Sequence, residues 1–232
     1  MRGPVPLLRW GHHMKPFTAG LLVAAAVAVQ ALASPGQAAP SAVDLARQVQ
    51  QRYATIRTFT TAFTVADKDP HVPQVRTQRG TVKIMKPGCM WWKYDAPEKM
   101  DIVSNGREIT TYSKADNSGT RAAMPKGDDA STAVLFLAGE GDLVRDFTPA
   151  LAAIQPAGEW RLNLIPKRRQ TDFDELSLFL DRQTLRMNGF TTVDSQGGVH
   201  EFRFSDLREN VGLSAADFDF KFPRGAYVQD IR

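Results

Sequence analysis

The chain has 232 residues and a pI near 9.3, but its formal net charge of +4 is concentrated at the amino terminus. Without Arg2, Arg9 and Lys15 the chain carries 26 basic and 25 acidic residues, a balance that gives no argument for binding nucleic acid. Because Cys89 is the only cysteine, an internal disulfide is excluded and the fold must be stabilised by packing.

Residues 1–33 have the pattern of a signal peptide. The basic start is followed by the apolar stretch Phe17–Ala33, with small Ala31 and Ala33 before the cleavage point. A second candidate cleavage position follows Ala38. An amino-terminal membrane anchor is the alternative, but the apolar stretch is short of the about 20 residues that a spanning helix needs. We expect an exported chain in which residues 41–230 form a single domain, with no lipidated cysteine after the signal peptide.

The mature chain begins with a predicted amphipathic helix at Ser41–Ile56. Leu45, Val49, Tyr53 and Ile56 recur every three or four residues and form one apolar face, and Ser41 is a suitable N-cap. A second helix is predicted at 130–137, and a short helix or irregular lid segment is predicted at 147–154.

The rest of the chain has the period of two that is typical of strands. Alternating apolar residues predict strands at Phe59–Val65, Thr81–Met85, Met90–Tyr94, Asp101–Ser104, Glu108–Ser113, Trp160–Leu164, Leu176–Leu180, Phe202–Phe204 and Phe218–Phe222. Ser104–Gly106 and Asp194–Gly198 predict hairpin turns, and the proline-containing Asp67–Gln74 predicts a loop. One apolar face per strand predicts a mainly β (α+β) fold: a strongly curved antiparallel sheet whose concave face is covered by the helical segments.

Residues with catalytic potential are sparse. Cys89 and His200 could pair as a nucleophile and base, but a buried inert thiol is commoner, and His71 has no partner at metal-ligand spacing. Asp172, Asp174 and Glu175 fit a solvated turn. Lys167, Arg168 and Arg169 could meet anionic lipid headgroups, although a hairpin loop explains them as well. We therefore expect neither an enzyme nor a bound metal or cofactor.

The stretch KPGCMWWKYDAP and the turn after it resemble the central pattern of the LolA family of periplasmic lipoprotein carriers. The matching residues are Lys86-Pro87, Met90-Trp91-Trp92, Pro97, Ile102-Val103, Ser104-Asn105-Gly106 and Tyr112. The segments TFTTAFTV, STAVLFLAGEGDL, LNLIPK, DELSLFLDRQTLRM and FDFKFPRGAYV follow in the family's order, so that the resemblance covers about residues 41–230.

The resemblance implies an unclosed β-barrel with helices lying across its opening as a lid. It further implies a monomeric periplasmic chaperone that shelters lipoprotein acyl chains between an inner-membrane exporter complex and an outer-membrane receptor. The residues expected to contact acyl chains are Val82, Ile84, Met90, Trp92, Tyr94, Ile102, Leu162, Leu164 and Leu178, with lid residues Leu135 and Phe136. Lys86 occupies the position at which the family commonly has an arginine that latches the barrel to the lid.

Three other functions remain compatible with the residues. The same fold could serve as an envelope sensor of lipids or lipoproteins, or could carry another lipid such as a glycolipid or pigment. A lipid hydrolase is disfavoured because the chain has no GxSxG nucleophile elbow.

Overall fold

The computed structural model of the protein describes residues 39–124, 141–170 and 173–231. Its first element is helix α1, Ala42–Ala54. Ser41 caps the helix: its Oγ accepts a hydrogen bond from the Asp44 backbone N–H at 3.1 Å. Leu45, Val49 and Tyr53 are buried on one face, so the predicted helix and its apolar stripe are confirmed.

In the described part of the chain, twelve strands follow and form one sheet. They are β1 Thr58–Asp69, β2 Val72–Met85, β3 Cys89–Ala96, β4 Met100–Asn105, β5 Glu108–Ser113, β6 Ser118–Ala123, β7 Phe147–Leu151, β8 Glu159–Pro166, β9 Glu175–Asp181, β10 Met187–Val193, β11 Val199–Glu209 and β12 Tyr227–Ile231. Their order across the sheet is β12-β6-β5-β4-β3-β2-β1-β11-β10-β9-β8-β7. All neighbours are antiparallel except β12, which runs parallel to β6. The predicted mainly β, unclosed and curved sheet is confirmed.

The curvature of the sheet is visible in contacts between strands that are not neighbours. Trp92 on β3 and Phe190 on β10 have ring centroids 6.5 Å apart, although β2, β1 and β11 lie between these strands. In a flat sheet four strand spacings would separate them by about 19 Å. Gly80 assists the bend, because a Cβ there would collide with the Lys93 carbonyl and the Phe63 ring, and the β2–β3 register shifts beside it.

The main core lies on the concave face. Side chains from β1–β3 and β8–β11 form one buried cluster, and the apolar face of α1 packs into it. The Ser104–Gly106 and Asp194–Gly198 turns close the β4–β5 and β10–β11 hairpins, as predicted. Hence strands β1–β3 and β8–β11 contribute alternate residues to one shared interior.

The convex face of β3–β6 is also covered, which the sequence did not predict. Residues 211–226, the C-terminal strap, place Phe220 against Trp91 and Tyr112 at centroid distances of 5.9 and 5.8 Å. The predicted strand at Phe218–Phe222 is wrong: Ala215–Phe218 is a 3-10 helix, and the chain stays irregular up to β12. A Ser214–Asp217 capping box starts the helical turn, so the alternating phenylalanines pack onto a sheet face and not into a ladder.

Two further predictions of local structure are wrong. The predicted loop at 67–74 is mostly strand, because Pro70 and His71 alone form the turn between β1 and β2. Pro73 is tolerated in β2 because the pairing of β2 with β3 stops at Arg79, so this part of β2 has a neighbouring strand on one side only. The segment 147–154 is not a helix: its first five residues form edge strand β7. The predicted helix at 130–137 lies outside the described residues.

No helix within residues 39–124, 141–170 and 173–231 combines the length and apolarity needed to cross a bilayer.

Candidate functional site

The predicted acyl-contact residues meet on the concave face. Seven of them are almost fully buried in the main core: Val82, Ile84, Met90, Trp92, Leu162, Leu164 and Leu178. Tyr94 and Ile102 are half-buried and pack against the same cluster. The register explains this convergence, since Ile84 pairs with Met90, Val82 with Trp92 and Leu162 with Leu178, and paired residues share a face.

The interior has an aromatic centre that the sequence did not predict, formed by Phe63, Phe190, Phe202 and Phe204 around Trp92. Phe63 lies edge-on to Trp92 with centroids 5.2 Å apart, and Phe190 stacks on Phe202 at 4.5 Å. Alternation showed that Phe202 and Phe204 share a face. Only the register, which pairs Phe63 with Phe204 on β11, shows that this face is the concave one.

Helix α1 closes over the interior and is held by polar contacts at its margins. The Arg52 guanidinium donates to both carboxylate oxygens of Glu209 at 2.9 and 2.8 Å, and its Nε donates to the Thr184 carbonyl at 2.8 Å. The Gln50 side chain donates to the Gly141 carbonyl and accepts from the Leu143 N–H. The cleft that remains between α1 and β9–β11 has a volume of only about 10 Å³, room for about one water molecule.

Lys86, the predicted latch residue, lies beneath the carboxyl end of α1. Its Nζ donates to the Tyr53 carbonyl at 2.6 Å and lies 3.5 Å from the centre of the Tyr53 ring. Burial lowers the pKa of Lys86 to about 8, because the ammonium has lost much of its hydration. Lysine 86 therefore joins the barrel to α1; lid residues Leu135 and Phe136 lie outside the described residues.

The candidate catalytic pair is not assembled. Cys89 lies opposite Met85, the last residue of β2. His200 lies opposite Asp67 on β1, and Asp67 lies opposite Arg76, which is nine residues from Met85 on β2. Nine residues of strand span about 30 Å. Burial raises the pKa of the Cys89 thiol, which opposes nucleophilic activation.

The remaining charged residues that the sequence singled out lie in or beside the loop between β8 and β9, in line with the simpler interpretation as loop residues. Lys167, Arg168 and Arg169 follow β8 in the loop that leads to β9, and Asp174 and Glu175 lie where that loop ends; Asp172 is outside the described residues. Within residues 39–124, 141–170 and 173–231, no group of three or more histidine, cysteine or carboxylate side chains is placed to hold a metal ion.

These features define a class of protein: an unclosed β-barrel whose apolar interior is covered by a helix. Residues 54–221 match the family described as "Outer membrane lipoprotein carrier protein LolA". The chain belongs to this family, and the resemblance inferred from its sequence is confirmed.

Curated relatives extend the match over most of the chain. An outer-membrane lipoprotein carrier protein of Azotobacter vinelandii is 28% identical over 93% of this chain and 99% of its own length. Its counterpart in Coxiella burnetii is 26% identical over 80% of this chain and 86% of its own. Among solved structures, an uncharacterized conserved protein from Thermus thermophilus superposes with a TM-score of 0.52 at 14% identity, over 80% of this chain and 99% of that one, which supports the fold.

Proposed function

We propose that the protein is a periplasmic carrier that shelters the acyl chains of lipoproteins in its concave interior. The observation that supports this function best is the continuous apolar cluster on the concave face, over which helix α1 is held by polar contacts at its margins. Each acyl methylene costs about 0.8 kcal/mol in water, so a lipoprotein cannot cross an aqueous compartment without such cover. The relatives from Azotobacter vinelandii and Coxiella burnetii, both named as outer-membrane lipoprotein carrier proteins, support the same cargo.

Cargo must enter by displacing contacts within the interior, because the described core is closely packed. Without cargo, the aromatic rings around Trp92 and the apolar face of α1 pack into the same buried core. Acyl chains would replace those contacts with contacts of similar chemistry, so the free energy of exchange is small and the cargo remains releasable. Lys86 and Arg52 would give way when α1 moves, which makes the helix the movable part of the cover.

We further propose that cargo is received from an inner-membrane exporter and passed to an outer-membrane receptor, with the protein acting as a monomer. Export would depend on residues 1–33 as a signal peptide. N-terminal sequencing of protein recovered from the periplasm tests this step: the expected first residue is Ser34, or Ala39 if the later position is cleaved, and an intact Met1 would contradict it.

Adjacent tryptophans provide the test of acyl binding. Trp92 lies in the interior, whereas Trp91 faces the C-terminal strap, and its Nε1 donates to Asp101 at 2.7 Å. Two variants each retain one of them, Trp91→Phe/Trp160→Phe and Trp92→Phe/Trp160→Phe. A lipopeptide with brominated acyl chains should quench the Trp92 fluorescence of the first variant and leave the Trp91 fluorescence of the second unchanged, because bromine quenches only on contact.

Equal quenching of both variants, or quenching of Trp91 alone, would overturn the assignment of the interior as the acyl site. A second assay addresses transport. Membranes that contain a triacylated reporter lipoprotein and its exporter should release the reporter into solution only when the purified protein is added. If the reporter stays in the membrane pellet, the carrier function is refuted.

A further inference from the structure

The concave face changes from apolar to polar at the same level on three neighbouring strands. On β1 the inward residues run from Phe63 and Val65 to Asp67, and on β11 they run from Phe202 to His200. Paired positions place them side by side: Val65 pairs with Phe202, and Asp67 pairs with His200. The apolar interior therefore ends in a polar zone and not in more core.

Strand β2 continues the same boundary. Gln78 pairs with Val65, and Arg76 pairs with Asp67, so both side chains lie on the concave face. The β2–β3 ladder stops at Arg79, so that the segment from Val72 to Gln78 has β1 on one side and no described strand on the other. The polar zone is thus open laterally.

We call this zone the polar mouth, formed by Asp67, Gln74, Arg76, Gln78, Asp194 and His200. All of these residues except Gln78, which lies next inward on β2, line an open pocket of about 260 Å³, a size suited to a few polar groups and too small for the acyl chains themselves. His200 fixes its geometry, with Nδ1 2.7 Å from an Asp67 oxygen and Nε2 3.6 Å from an Asp194 oxygen.

Gln78 points to an absent hydrogen-bond partner at the boundary. Its Oε1 is buried and has no hydrogen-bond partner within the described parts of the chain. Such a carbonyl is costly to leave unsatisfied, and a ligand N–H or a water at this position would satisfy it. Burial, together with the negative charge of Asp67, raises the pKa of Tyr94 to about 12, so the electrostatic effect of Asp67 extends into the interior.

We propose that the polar mouth binds the amino-terminal peptide of an acylated cargo protein while the interior holds its acyl chains, an inference that rests on the proposed function. Peptide groups supply both N–H donors for Gln78 and the aspartates and carbonyl acceptors for Arg76, which is in no ion pair among the described residues. A phosphate headgroup fits less well, because the wall presents three carboxylates, Asp67, Asp69 and Asp194, against two cations, Lys68 and Arg76.

The test compares two ligands that share an acyl chain. Wild-type protein and an Arg76→Gln/Gln78→Leu variant are titrated with a triacylated hexapeptide and with palmitate. The variant should lose about tenfold in affinity for the lipopeptide, as expected for two lost hydrogen bonds, and should bind palmitate within about twofold of wild type. Arg79→Gln is the matched control, since Arg79 pairs with exposed Thr64 on the opposite face of β2.

The outcomes separate the two proposals. Unchanged lipopeptide affinity, or an equal loss for both ligands, would overturn the polar mouth while leaving the acyl interior in place. Failure of wild-type protein to bind either ligand would refute the proposed function itself. If anionic phosphatidylglycerol vesicles compete better than the free hexapeptide, and the variant abolishes that competition, the mouth recognises lipid headgroups and the peptide assignment is wrong.

Discussion

A matched pair of phenylalanines separates the roles of the two faces of the sheet. Phe63 is 2% exposed in the concave interior, and Phe218, which belongs to the C-terminal strap on the convex face, is 1% exposed. Each truncation to alanine should lower the free energy of unfolding by about 3–5 kcal/mol, the usual cost for a fully buried phenylalanine. Urea unfolding of Phe63→Ala and Phe218→Ala measures both costs.

Ligand affinity should distinguish the two variants. Phe63→Ala removes about 100 Å³ of side chain, and the unfilled space costs the empty protein about 2 kcal/mol at 24 cal/mol per Å³. Flexible acyl chains can fill that space, whereas the surrounding strands cannot, so the bound state avoids this part of the cost. The affinity of Phe63→Ala for a lipopeptide should therefore rise by up to about thirtyfold, while Phe218→Ala should bind like wild type.

Fluorescence titration of a labelled triacylated peptide, at a temperature at which both variants are folded, checks this difference. A weaker or unchanged affinity for Phe63→Ala would show that the concave core is a permanent interior and does not exchange its contacts with cargo. A matching increase for Phe218→Ala would show that general destabilisation, and not the cavity, drives the effect.

Further predictions concern the ties of α1 and the sheet bend. Burial lowers the pKa of Lys86 from its ordinary value of 10.5 to about 8, so between these pH values the unfolded chain holds a proton that the folded chain has lost. Stability should therefore rise with pH relative to Lys86→Met, as measured by urea unfolding at pH 7 and 9.5. Arg52→Gln breaks the ion pair in which one guanidinium nitrogen donates to both Glu209 oxygens, and should cost about 1–3 kcal/mol while speeding amide exchange in α1. Arg47→Gln, which removes an exposed ion pair on the same helix, should change little. Gly80→Ala should leave little folded protein by circular dichroism, since its Cβ would collide with backbone; Gly212→Ala, where the space is open, should fold normally.

Local features were readable from the sequence because they depend on neighbouring residues. Ser41 and the spacing of Leu45, Val49 and Tyr53 predicted α1, and Asn105-Gly106 predicted the β4–β5 turn. Alternation identified most strands. It was wrong for Phe218–Phe222, since a period of two also arises when an irregular segment lays its aromatic side chains on a sheet.

The amino-acid sequence by itself determined the class of fold, helix α1, most strands and the apolar faces of these elements. Periodicity and capping act over a few residues and can therefore be read locally. Only the tertiary structure decided which faces meet. Phe63 and Phe190 join Trp92 because the sheet curls, and Asp67, Arg76 and His200 form one mouth because of strand register. The β1–β11 register and the curvature of the sheet depend on contacts between residues that are far apart in the chain, which a local pattern does not specify.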